Sequence, residues 1–228
     1  NRLLFDIEPV GVHSYFSPML DIFNYLVIRN LTPMLSAFVL GAVSGLFAFA
    51  VYKIIRLIYT QDTKLALTRS SNPSLYMASI LLSLVLAITG FANLTQIGTT
   101  MNENFIAIPV TWSYYYLLKY QIENKNNLLL FSGLLIGVAL GLKLTAIVFV
   151  LALVISFIAL NYRKLFSLSS IGFGVAIIVG FLLINGIWMF KMYQVFGNPF
   201  FPSLCAWFNP DTAVTFGRDT TFLPQDLL

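Results

Sequence analysis

The chain has 228 residues, 58% hydrophobic and only 10% charged, with a mean hydropathy of +0.84 and a net charge of +4. So few charges cannot cover a soluble globule of this length, and the composition predicts an integral membrane protein. The basic excess is confined to short stretches between apolar runs, where it reports topology; it gives no reason to expect nucleic acid as a partner.

Continuous apolar runs such as "GLLIGVALGL" lack the alternation of a β-barrel, so the expected class is all-α: a polytopic transmembrane helix bundle with outward-facing interfacial loops. We read residues 1–228 as a single transmembrane domain, with an extracytoplasmic segment over 1–32, about six membrane helices over 34–190 and an extracytoplasmic loop over 191–228. The chain starts at Asn1 without Met or a basic leader and stops at "FLPQDLL", which predicts an interior piece of a longer protein with a membrane helix before Asn1.

The first segment carries Asp6, Glu8, His13 and Asp21. Within it, "FSPMLDIFNYLVIRN" (16–30) is short and interrupted by acid and amide groups, so it is expected to lie at the interface, with Asp21 placed to cap a helix after Pro18. Apolar spans then follow at 34–58, 74–92, 104–121, 128–142, 144–160 and 168–190, the fourth and fifth too short to span comfortably alone. Lys53 and Arg56 at the end of the first span with Lys64 and Arg69 after it, Lys119 at the end of the third with Lys125 after it, and Arg163 and Lys164 after the fifth form three basic clusters. These clusters are expected on the cytoplasmic side. The opposite side then holds Arg2, Arg29, Lys143, Lys191 and Arg218 with seven of the nine acids. Tyr15, Tyr25, Trp188, Tyr193 and Trp207 are expected in an aromatic belt there.

Two places on that outer side stand out. "GTTMNENF" (98–105) keeps hydroxyl, amide and carboxylate groups between two apolar runs, more than a cap requires, and Gly98 can supply the backbone angles of a sharp turn. Asn102 and Glu103 are therefore expected to face an outward cavity, shared with His13 or Asp21 and with Lys143. Lys143 lies between "LLIGVALGL" and "LTAIVFVLALVI", where an unpaired ammonium costs about 2.5–3.5 kcal/mol on insertion scales; it either meets a partner or snorkels to the interface. The single His13 cannot build a multi-histidine metal centre, although with Asp6, Glu8 or Asp21 it could join a carboxylate-rich one, so a divalent cation stays open as a cofactor. The glycines of "GFGVAIIVG" have the spacing of helix packing within a bilayer.

"DIEPVGVHSYFSPMLDIFNYLVIRNL", "GTTMNENF", "GLLIGVALGLKLTAIVFVLAL" and "GNPFFPSLCAWFNPD" followed by "GRDTTFLP" together resemble, in order and spacing, bacterial polytopic proteins of the GT-C glycosyltransferase superfamily. The resemblance implies a multi-pass protein of the bacterial inner membrane that transfers a sugar from a polyprenyl phosphate on the extracytoplasmic side. It also implies a catalytic acid close to the exit of the first membrane helix, which would lie before Asn1; Asp6 and Glu8 are the nearest acids within the chain. In such a site a partly desolvated carboxylate takes the acceptor's proton. Lys143 or Arg218 would stabilise the leaving phosphate, and Asn102 and Glu103 would bind sugar hydroxyls. The alternative is a non-catalytic subunit of a larger membrane complex, with other membrane subunits and lipid as its partners.

Overall fold

The computed structural model describes residues 17–62, 71–99, 103–201 and 203–208. It is an all-α helical bundle, with no strand among the described residues. Among the described residues the helices are α1 (Met19–Asn30), α2 (Pro33–Gln61), α3 (Pro73–Ile88), α4 (Phe91–Gln96), α5 (Glu103–Glu123), α6 (Asn126–Leu142), α7 (Ile147–Asn161), α8 (Leu168–Phe196) and the short α9 (Cys205–Phe208). Among the described residues three segments are long and apolar enough to cross a membrane: Pro33–Gln61, Leu168–Phe196, and Leu144–Asn161, in which a 3-10 turn extends α7. Their outer faces stay apolar, with Val148 66%, Leu86 68% and Leu183 67% exposed. Surface of that kind belongs in lipid, and the chain is an integral membrane protein.

The expected spans recur as helices, with three departures. The second ends at Ile88, and Thr89–Gly90 break it from the separate turn of α4. The last runs on to Phe196. The third, α5, is 21 residues long but is not among the three strongly apolar segments. It tolerates Asn104, Ser113 and Tyr120 because these are buried against neighbouring helices and so do not meet lipid.

The chain divides into two compact units, Met19–Ile184 and Asn1–Pro18 with Asn185–Leu228. In the first, α5 is the hub. Phe49 of α2 packs on Trp112 while Ser44 meets Asn104, so α2 and α5 run parallel. Ser113 pairs with Ser132 and Tyr116 with Phe131, so α6 returns antiparallel. Tyr120, Phe157 and Phe173 stack in succession, which brings the end of α5, the end of α7 and the start of α8 to one level. Lys119, Lys125 and Arg163 therefore share one end of this unit with Arg56, while Glu103 and Lys143 lie toward the other. At the basic end Asn124 takes a left-handed backbone (φ 53) to turn the chain from α5 into α6. There Glu123 accepts from Lys125 at 2.8 Å, and this bond, with the charges of Lys119 and Lys125, holds its carboxyl below the usual range.

Helix α1 docks through Leu20 and Val27, with Phe23 against Phe105 at 5.3 Å. In the second unit Trp188, Met192 and Phe201 form a small buried core, beside which Phe196 stacks on Phe201 at 4.0 Å. Trp188, expected in the aromatic belt, is thus buried as a packing residue, while Tyr193 and Trp207 are exposed.

Candidate functional site

Gly98 takes φ +73 and sits so close to α2 that a Cβ would lie 3.2 Å from the Ala37 carbonyl oxygen, which explains why the turn needs glycine. The Thr99 hydroxyl donates to the Gln96 carbonyl at 2.9 Å and closes the turn. The chain then enters α5 at Glu103, whose carboxylate suits the positive end of the helix dipole. The next residue, Asn104, is buried and donates to Ser44 Oγ at 3.3 Å.

Lys143 approaches from the other side. Its extended backbone (φ −151, ψ 121) ends α6, and its N–H closes on the Ala139 carbonyl at 3.2 Å. Its carbonyl accepts from Ala146 as the 3-10 turn begins. From this break the ammonium reaches Glu103 Oε1 at 3.4 Å, and each side chain keeps roughly half its surface exposed (41% for Lys143, 53% for Glu103). Asn104, one residue from this pair, is anchored to Ser44, about 18 Å along α2 from Arg56 and about 16 Å from Pro33 at ~1.5 Å per residue. The charged pair therefore lies within the length of an apolar spanning helix. Ionisable groups at such depth are rare, and pairing lowers their insertion cost.

The pair borders a groove of about 500 Å³, within the size range of ligand sites. Phe47, Ile106, Val110 and Phe149 supply apolar wall, while Gln96, Asn104, Thr111 and Thr145 add polar groups beside the two charges. Such a lining suits an amphiphile, with an apolar tail along the wall and an anionic head at the ammonium.

Of the residues singled out in the sequence, Glu103 and Lys143 come together on one cavity, although 40 positions separate them. Asp21 lies exposed in the first turn of α1 and does not line the groove. Asp6, Glu8, His13, Asn102 and Arg218 lie outside the described residues. Among the described residues no three His, Cys, Asp or Glu side chains gather to hold a metal ion; Glu103 is the carboxylate that the groove offers a cation. Asn104 was missed: it stands in the polar stretch itself, but only its contact with α2 reveals that it is buried and bonded. Phe47 and Gln96 carry no local signal, since their place on the wall depends on how α2 and α4 pack beside α5. Comparison of the chain with protein-family models, curated proteins and solved structures finds no match, so the chemistry of the groove carries the functional reading.

Proposed function

We propose that this protein is a multi-pass membrane glycosyltransferase of the GT-C type, of the bacterial inner membrane, that uses a polyprenyl-phosphate sugar on the extracytoplasmic side. The observation that carries the reading is the apolar groove bordered by the Lys143–Glu103 pair within the span of α2. The polyprenyl chain lies along the apolar wall and the phosphate meets Lys143. Transfer breaks the bond between the sugar's anomeric carbon and the phosphate oxygen, which leaves with the bonding pair. The acceptor oxygen forms the new bond, and its proton passes to a carboxylate. Glu103 and Lys143 each keep about half of their surface exposed, so a phosphate reaches the ammonium in exchange for the carboxylate, which is then free for a sugar hydroxyl.

The test is retention of decaprenyl phosphate by the purified full chain, read by native mass spectrometry. Lys143→Met keeps the stem's apolar bulk and removes the charge, so the fold should survive while retention falls about tenfold, the value of one charge-assisted hydrogen bond of about 1.5 kcal/mol. Glu103→Gln should leave retention intact or raise it. Unchanged retention in Lys143→Met removes the groove from the reading.

A second reading, a non-catalytic subunit of a larger membrane complex, is favoured by the same ion pair, because a lysine neutralised inside the protein needs no ligand. Under that reading both substitutions lower thermal stability and neither changes lipid retention.

A further inference from the structure

A second cavity, of about 360 Å³, opens between α2 and α3 at the basic end and is lined by Tyr52, Arg56, Pro73, Tyr76, Met77 and Ile80. The two helices are tied beside it: Tyr59 packs edge-on against Tyr76 at 6.0 Å, and its hydroxyl lies 3.0 Å from Ser83 Oγ.

Its lining has two chemically different halves. Lys53, one turn before Arg56, is engaged elsewhere, with its ammonium 5.2 Å from the centre of the Phe49 ring. Arg56 is exposed, and no carboxylate among the described residues pairs with it. Its planar guanidinium matches the oxygens of a phosphate. The other half is aliphatic, and Met77 is 53% exposed, continuous with the exposed Leu81 on the lipid-facing side of α3.

We propose that this cavity binds an anionic glycerophospholipid of the cytoplasmic leaflet, with the phosphate on Arg56 and an acyl chain along the exposed Pro73 and Met77. The positive-inside bias puts this end at the cytoplasm, where basic pockets between helices take acidic headgroups. The aliphatic half specifies a lipid, since a free phosphate ion would leave it unused. The charge balance favours an acidic lipid: a zwitterionic headgroup would carry its ammonium toward Arg56, which no carboxylate among the described residues neutralises. The site is separate from the Lys143 groove and does not depend on sugar transfer.

Native mass spectrometry of the full chain, exchanged into detergent with equal amounts of phosphatidylglycerol and phosphatidylcholine, tests the assignment. The wild-type chain should retain phosphatidylglycerol in preference. Arg56→Gln should lower that occupancy about fivefold, the effect of one basic residue on an acidic lipid. Arg163→Gln removes the same charge at the same end, away from the cavity, and should leave the occupancy unchanged. Met77→Trp, which fills the cavity from its exposed side with Arg56 intact, should lower it as well. Equal losses in Arg56→Gln and Arg163→Gln would reduce the effect to diffuse surface charge and overturn the site. So would equal retention of the two lipids by the wild-type chain, unaltered occupancy in Met77→Trp, or displacement of phosphatidylglycerol by inorganic phosphate alone.

Discussion

Ser113 and Ser132 show how single polar side chains are used inside this bundle. Both are fully buried; the Ser113 hydroxyl donates to the Ser132 carbonyl and the Ser132 hydroxyl to the Ser113 carbonyl, each at 2.8 Å, and the two Oγ atoms lie 3.1 Å apart. Serine is small enough to let α5 and α6 approach, and each hydroxyl satisfies itself across the contact. Interhelical hydrogen bonds in membranes average about 0.6 kcal/mol and reach about 1.7 kcal/mol. Ser113→Ala should therefore lower stability by about 1 kcal/mol in detergent unfolding, and Ser113→Ala with Ser132→Ala should cost less than the sum of the two single changes. Strict additivity would show that the two hydroxyls do not act as a pair. Both serines look unremarkable in the sequence, because Ser in a membrane helix can equally bond its own preceding turn, as Ser156 does with the Ala152 carbonyl at 2.7 Å.

At the scale of helices, α6 and α8 lie unusually close, and glycine makes this possible. Gly133, Gly137 and Gly141 recur every fourth residue on α6, so they form one stripe. A Cβ on Gly137 would collide with the Ile177 carbonyl oxygen, one on Gly133 would lie 2.7 Å from the Phe173 carbonyl oxygen, and one on Gly141 2.8 Å from Ile184. From α8, Gly180 meets the Leu134 carbonyl in the same way. Backbone cannot swing aside as a side chain can, so Gly137→Ala must push the helices apart and should cost about 1–3 kcal/mol in the same unfolding measurement. Gly174, in the very stretch whose glycine spacing suggested packing, faces open space. Gly174→Ala should be neutral or stabilising by up to about 1 kcal/mol, the gain in helix propensity. A similar loss in both variants would mean that helix propensity, and not the close contact, governs this face. The sequence shows the glycine period but not which glycines face a neighbour, since that depends on the rotation of each helix about its axis.

For the whole molecule, the alternation of helix directions brings Lys119, Lys125 and Arg163 to the end that holds Arg56, as the charge pattern in the sequence anticipated. On a Cys205→Ser background, which removes the native thiol, Lys64→Cys and Lys125→Cys should react with a membrane-impermeant maleimide only from the cytoplasmic side, and Asn30→Cys only from outside. Labelling of position 64 or 125 from outside would invert the orientation and with it the leaflet assigned to both cavities.

Hydropathy read along the chain sufficed to locate the helices, because transfer into hydrocarbon depends on the composition of a run and hardly on which neighbour it meets. The turn at Gly98 and the break at Lys143 were likewise legible, each from a local conflict: a glycine beside a cluster of polar groups, and a charge between apolar runs. Tertiary structure decided the rest. It made Glu103 the partner of Lys143, set that pair at the depth of Ser44, left Asp21 off the groove and buried Trp188 in a core of its own. Each of these outcomes turns on which face of one helix meets which face of another. Lipid solvates every apolar face alike, so that choice rests on shape and on a few polar contacts between residues far apart in the chain.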